Sequence, residues 1–366
     1  MSKTRAQGRV TLAHVAERAG VSVATVSLIL SARKGWIDQF RPATIEAVRR
    51  AADRLGYRAN LFASGLPTQG SHFFALVLTG IEPRSIGTWH HWGFEGALLA
   101  GAIEEATRGG VYPILATADA DADDEQLQPV YQIIDGGVFG TVVRTPGTLL
   151  DRFLRARVKQ RQRVVVVFPS RLATWPANAI DVDNKAIGET VGALLDARCR
   201  KRWALVHYKS RREAWCLRMA GLKNVAERVG AKLHDVVVPT GLDESELANV
   251  LGPRLNHLQP DGLFAVDSVS AAGSVLAAHR FGIRVAEDLD MVGCDCSAWR
   301  IGSLPTMTAV DVSWNEVGAL ALRKLLGMCE SGEATFETIL MKPRIVPGGS
   351  CPLPPDWTAP SAMTSA

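Results

Sequence analysis

The chain has 366 residues, 47% of them hydrophobic and 21% charged, which suits two or three domains and excludes global disorder. No run of about eighteen apolar residues argues for a membrane span, and the N-terminus lacks the apolar core and cleavage site of a secretory signal, so a cytoplasmic protein is expected. Residues 1–70 carry 11 Lys and Arg against 4 Asp and Glu, a net of +7, while residues 71–366 net −3, the pattern of a basic head that meets a polyanion.

In chain order, Thr11 is placed to cap a first helix bearing Leu12, Val15, Ala16 and Ala19, and Gly20 to end it. Ser22 is placed to cap a second helix, with Val23, Val26 and Leu30 among its apolar positions. A third amphipathic segment runs from Pro42 to Leu55, with Ile45, Val48, Ala52 and Leu55 on one stripe. Two short helices joined by a glycine turn, then a third, read as a helix-turn-helix. The order T-L-x-x-V-A-x-x-A-G-V-S-x-x-T-V-S, followed by LGYRANLFASGLP, resembles the DNA-binding head and hinge of the lactose/galactose repressor (LacI/GalR) family.

That resemblance implies where DNA contacts fall. The second helix enters the major groove with its early residues on base edges, which assigns Val23, Ala24 and Leu28 to base contact. Thr11, Ser22, Thr25, Ser27, Thr44, Tyr57 and Asn60 are the further DNA-binding candidates. Many relatives carry Arg where this chain has Leu28, so bidentate reading of guanine is replaced by apolar contact, most naturally with thymine methyls. In the family the hinge becomes helical on DNA and its leucine wedges into the minor groove; Leu66 holds that position and Ala63 the small one beside it. Residues 31–43 are about four longer than the family's loop and present Arg33, Lys34 and Trp36, either as exposed linker or as an added phosphate contact.

Beyond residue 71 short β-rich runs alternate with helical stretches. The runs are FFALVLT (73–79), YPILAT (112–117), FGTVVRT (139–145), RVVVVF (163–168), WALVHY (203–208), HDVVV (234–238), GLFAV (262–266), DMVGC (290–294) and TMTAV (306–310), with a last helix near 313–329. Such alternation predicts parallel sheets covered on both faces, with ligands outside the carboxyl ends of the strands. DADADDE (119–125) lacks the glycine of a calcium loop and reads as an acidic helix start. VDN (182–184), RMAGL (218–222), VDSVSAAG (266–273) and GIRVAEDLDMVGCD (282–295) extend the family resemblance over nearly all of residues 9–350. Val266, Cys294 and Cys296 depart from the family pattern.

The resemblance implies a periplasmic-binding-protein-like α/β body of two parallel-sheet lobes behind an all-α helix-turn-helix head. The head is expected over 9–58, the hinge over 59–70 and the body over 71–350. Lobe 1 takes about 71–180 and 313–335, lobe 2 about 181–312 and 336–350, and 351–366 is a loose tail. Arg218 and Asp267 are the implied effector contacts, with Asp295 a further candidate. Trp89 and Trp92, in a long loop after the first body strand, and Phe168 are aromatic candidates for stacking on a sugar or a base; simple packing is the other reading. Trp215 and Trp299 are further aromatic candidates alongside Phe168. His90 and His91 point apart on most backbones, and the six cysteines form neither a disulfide framework nor a zinc set, so no metal is expected.

The expected molecule is a homodimeric, nucleoid-associated transcription regulator, most simply a repressor, that binds a near-palindromic operator under control of a small carbohydrate effector. A purine-type co-repressor is the alternative of the same fold, and a solute-binding module or a sugar-modifying enzyme are rivals of other classes. No nucleophile–base set or phosphate loop stands out, so neither catalysis nor a cofactor is expected.

Overall fold

The computed structural model describes residues 10–30, 39–57, 72–79, 93–119, 121–144, 148–168, 177–209, 213–296, 305–331 and 336–358. Thr11, extended at φ −110°, precedes α1 (Leu12–Ala19), and its N–H donates to His14 Nδ1 at 3.3 Å. Gly20 ends α1 at φ 68°, a left-handed conformation that glycine adopts without a Cβ clash. Ser22 Oγ accepts from the Thr25 N–H at 3.1 Å and caps α2 (Val23–Leu30). The axes of α1 and α2 turn through 105°, an angle proper to a helix-turn-helix. Proline opens α3 (Pro42–Leu55), where its missing N–H has no helical acceptor to lose.

Val15, Ala16, Val26, Ile29, Val48, Ala51 and Ala52 form the core of this head. Val23, assigned to base contact, is 46% exposed and takes no part in that core. Because α2 is apolar nearly all round, its buried stripe is chosen by α1 and α3 rather than by its own pattern. The head separates from the body between His72 and Phe73.

Among the described residues the body holds two six-stranded sheets. The first contains β1 (Phe73–Thr79), β2 (Tyr112–Ala118), β3 (Thr141–Arg144), β4 (Val164–Val167) and β5 (Asn178–Val182), with α4 (Gly93–Gly109), α5 (Asp124–Asp135) and α6 (Thr148–Lys159) between them. The chain then enters α7 (Asn184–Ala197) and the second sheet. That sheet contains β6 (Arg202–Tyr208), β7 (Lys232–Val238), β8 (Gly262–Ala265), β9 (Asp290–Cys294) and β10 (Thr308–Asp311), with α8 (Glu213–Val229), α9 (Glu244–Leu258) and α10 (Ser268–Arg280). It returns through α11 (Trp314–Ser331), β11 (Thr338–Met341) and β12 (Arg344–Val346).

Strand order is β11-β5-β4-β3-β1-β2 in the first sheet and β12-β10-β9-β8-β6-β7 in the second. Every pairing is parallel except β12 with β10. Helices on both faces bury the inner strands completely, which is why Val164 to Val167 form an unbroken apolar run. Asp123 caps α5 by accepting from the Gln126 N–H at 2.9 Å, so the acidic stretch does start a helix.

Three features depart from the sequence reading. β5 was not expected, and no helix separates it from β4 among the described residues. β11 pairs with β5 in the first sheet, so residues 338–341 belong to lobe 1 and not to lobe 2. Residues 351–358 are not a loose tail: Cys351 is fully buried, and Leu353 and Trp357 pack on the core. Ser350 explains this, since its Oγ donates to Met291 O at 2.6 Å and accepts from the Thr308 N–H at 2.8 Å, stitching β9 to β10. Among the described residues no single helix is long and apolar enough to cross a membrane.

Candidate functional site

On the head, α2 presents Val23, Ala24 and Ser27 to solvent, with Thr25 and Leu28 partly buried beside them. Val26 and Ile29 point into the core and anchor the helix from behind. Thr11 and Ser22 are exposed, while Thr44 and Tyr57 are partly buried. The Ser22 and Thr25 hydroxyls lie 2.8 Å apart and bond to each other. An apolar, hydroxyl-edged helix start can press against thymine methyls and donate to phosphates, but it offers no guanidinium fork. Asn60, Ala63 and Leu66 lie outside the described residues, as do Arg33, Lys34 and Trp36.

In the body, polar and aromatic side chains collect at the carboxyl ends of the strands. β6 ends in Tyr208, whose ring stacks on Trp215 with centroids 5.0 Å apart. Just past β8, Asp267 caps α10: its Oδ1 accepts from the Ser270 N–H at 2.8 Å and from Ser270 Oγ at 2.7 Å. Tyr208 also donates to Asp267 Oδ1, more loosely, at 3.4 Å. Burial raises the Asp267 carboxyl above the usual range, opposed by the Ser270 donors and by Arg218. Burial likewise holds the Tyr208 phenol protonated, with Asp267 adding to the effect.

Arg218 lies on α8 and is 4% exposed. Its Nη1 donates to Val266 O at 2.6 Å and to Asp295 Oδ2 at 2.8 Å, and its Nε donates to Asn184 Oδ1 at 2.9 Å. Desolvation works against this charge, but Asp295 outweighs it and holds the guanidinium above its ordinary pKa. Among the described residues nothing engages Arg218 Nη2, and Asp295 Oδ1 has no hydrogen-bond partner. The flanking Cys294 and Cys296 thiols are pushed well up by burial and are unreactive there.

Phe168 follows β4 at φ 57° and meets Trp314 edge-on, centroids 5.2 Å apart. Trp314 Nε1 donates to Asp311 Oδ1 at 2.8 Å. Trp89, Trp92, His90, His91 and Trp299 lie outside the described residues.

Sequence reasoning missed a polar group on the first sheet. Glu95 Oε1 and Arg144 Nη2 are 3.2 Å apart, Arg144 Nη1 donates to Thr79 O at 2.6 Å, and Thr79 Oγ1 returns a bond to Arg144 O at 2.6 Å. The available signal was a single charge closing the apolar strand TVVR and a lone acid opening the apolar helix GFEGALLAGA. Asn184 and Tyr208 were missed as well, although Tyr208 closes an apolar strand in the same way.

The chain leaves the first sheet after β5 and β11 and the second after β10, always from a carboxyl end. The carboxyl edges of both sheets therefore border the space that the crossovers span, where ligands bind in such folds. That space has a donor at Arg218 Nη2, acceptors at Asp295 and Asp267, and aromatic faces on both sides.

Comparison with known proteins agrees with this geometry. Residues 11–60 match the model of bacterial regulatory proteins, lacI family, and residues 191–351 match the periplasmic binding protein-like domain. The HTH-type transcriptional regulator KdgR of Bacillus subtilis is 22% identical over 354 residues, covering 94% of this chain and 98% of that protein. A lac repressor dimer bound to operator and the anti-inducer ONPF superposes with a TM-score of 0.78 at 20% identity, covering 94% of this chain and 99% of that one. A complex of the transcriptional regulator CelR with cellobiose gives a TM-score of 0.65 at 21% identity, covering 93% and 100%.

Proposed function

Since the chain belongs to the lacI family of bacterial regulatory proteins, DNA-binding transcription regulators and not enzymes, we propose that it is a repressor released from a near-palindromic operator by a carbohydrate. Family membership places it in the cytoplasm, and nucleoid association belongs to the proposal. The observation that carries the effector reading is the unengaged pair at the second sheet, Arg218 Nη2 as donor and Asp295 Oδ1 as acceptor. A hydroxyl both donates and accepts, so a vicinal pair of hydroxyls satisfies both atoms at once. Asp267 supplies a second carboxylate, and the Tyr208–Trp215 stack supplies a flat face for the C–H side of a sugar ring.

A purine co-repressor is the second reading, favoured by that same aromatic stack. In either case the ligand acts by binding one lobe arrangement more tightly than the other.

The protein works as a homodimer in this proposal, because two heads on a two-fold axis match two half-sites. The lac repressor structure it resembles is a dimer on its operator. Edge strand β2 carries Tyr112 and Leu115, 47% and 46% exposed, beside Ile103 of α4 at 44%. This apolar edge is the proposed contact with the second copy. Leu66 is the proposed minor-groove wedge of the hinge.

The test is a titration of protein bound to labelled operator with neutral sugars, sugar phosphates and purines. Release by a sugar supports the proposal, tightening by a purine moves it to the second reading, and indifference to all three classes overturns the effector assignment.

A further inference from the structure

Asp183 joins Val182, the last residue of β5, to Asn184, the first of α7, and so makes the first crossover between the sheets. Val182 O accepts from Asn184 Nδ2 at 3.1 Å, and the Asp183 N–H donates to Met341 O, at the carboxyl end of β11, at 2.9 Å. Asn184 Oδ1 accepts from Arg218 Nε at 2.9 Å, and both residues are buried, 6% and 4% exposed. The main chain of Arg218 is held by the same helix. A Cβ on Gly188 of α7 would lie 1.9 Å from Arg218 O, and one on Gly221 of α8 would lie 2.1 Å from Lys185 O. Only glycine permits backbones this close, so α7 and α8 are locked and the Arg218 side chain is the part left to move.

We infer that Asn184 is the positioning residue that passes a change at Arg218 to the crossovers between the lobes. The inference rests on the reading of Arg218 as an effector contact. The guanidinium is planar and rigid, so a ligand that engages Nη2 tilts the whole plane and moves Nε against Asn184. Asn184 is bonded at its other end to Val182 O, and the neighbouring Asp183 N–H holds Met341. A shift at Arg218 therefore reaches the first crossover, and beside it the end of β11 from which the last crossover leaves, through one amide side chain. Close-packed interiors convert such small shifts into a choice between discrete arrangements.

Amide hydrogen exchange of the full chain, with neither DNA nor effector present, tests this. Arg218→Met and Asn184→Ala are each expected to speed exchange in peptides covering 181–187 and 338–344 by about tenfold, with peptides of α9 as the control for global opening. The double variant should be no faster than either single one, because both cut the same link. Arg218→Lys, which keeps the charge and loses the fork, provides the same reading if Arg218→Met does not fold. Exchange changes confined to 213–222 in the Arg218 variants, or additive effects in the double variant, would overturn the inference. Because no ligand takes part, failure here leaves the proposed function standing, and failure of the operator titration leaves this result standing.

Discussion

Arg218 Nη1 and Asp295 Oδ2 lie 2.8 Å apart inside the second lobe, and Asp295 reaches the pair from a left-handed backbone, φ 57°, just past the end of β9. A non-glycine residue in that region is uncommon and carries some strain. Here it turns a carboxylate back across the carboxyl edge of the sheet, one oxygen on Arg218 and the other without a partner.

Arg218→Ala and Asp267→Ala should each abolish the response to effector while the head, which folds around its own core, still binds operator. Loss of one charged hydrogen bond costs about 1.5–3 kcal/mol, or roughly one to two decades in affinity. Arg218→Ala should also lower the melting temperature, because it leaves Asp295 buried without its partner. Asp267→Ala removes the cap of α10, worth about 0.5–2 kcal/mol. Direct titration of effector checks the assignment; unchanged affinity in both variants removes these residues from the site.

Asp181, near the end of β5, has its pKa raised to about 6 by burial, with Glu213 adding to the shift. Its protonated form is therefore favoured by folding. The associated stability is fully present below the unfolded pKa near 4 and is lost as pH rises through about 6. Asp181→Asn keeps an oxygen for the Val182 N–H, which sits 2.7 Å from Oδ1, and has no charge to bury. Relative to the parent the variant should gain about 2–3 kcal/mol between about pH 4 and pH 7. Urea unfolding midpoints measure this, and parallel pH profiles would contradict it.

Leu28→Arg restores a guanidinium fork to the partly exposed side of α2. The variant should shift the preferred base at one position in each half-site toward guanine, with about 1–3 kcal/mol of discrimination. Selection from randomised operators reads this directly, and an unchanged preference matrix would mean that Leu28 does not face the groove.

Much of the head was legible because its punctuation is local. Gly20 and Ser22 act within a few residues of where they stand, and T-x-x-x-V-A with A-G-V-S is a pattern of caps and core positions. Arg218, Asp267 and Asp295 were named from motifs, and the structure gathers them at the carboxyl edge of one sheet. The Glu95–Arg144–Thr79 group was not legible, since Thr79 and Arg144 are 65 residues apart and meet only when β1 pairs with β3. β5 was missed because NAIDV contains Asn and Asp, poor strand formers that are tolerated here by tertiary context. The seated tail was missed because Cys351 follows a Pro- and Gly-rich approach, and its burial depends on one serine hydroxyl between two strands.

Leu115→Glu on edge strand β2 should shift the proposed dimer toward monomer, since in that dimer it would bury a charge against the second copy. Sedimentation equilibrium should show a higher dissociation constant and operator titration a weaker, more concentration-dependent affinity. A variant that stays dimeric at parent concentrations would place the contact elsewhere.

The most direct measurement is selection of bound sequences from a random DNA pool by the purified, effector-free chain. The predicted result is one enriched, near-palindromic motif of two half-sites, centred about one helical turn apart, as expected for two helix-turn-helix heads on a two-fold axis. Recovery of no common sequence, or of a motif with a single half-site, would contradict the account.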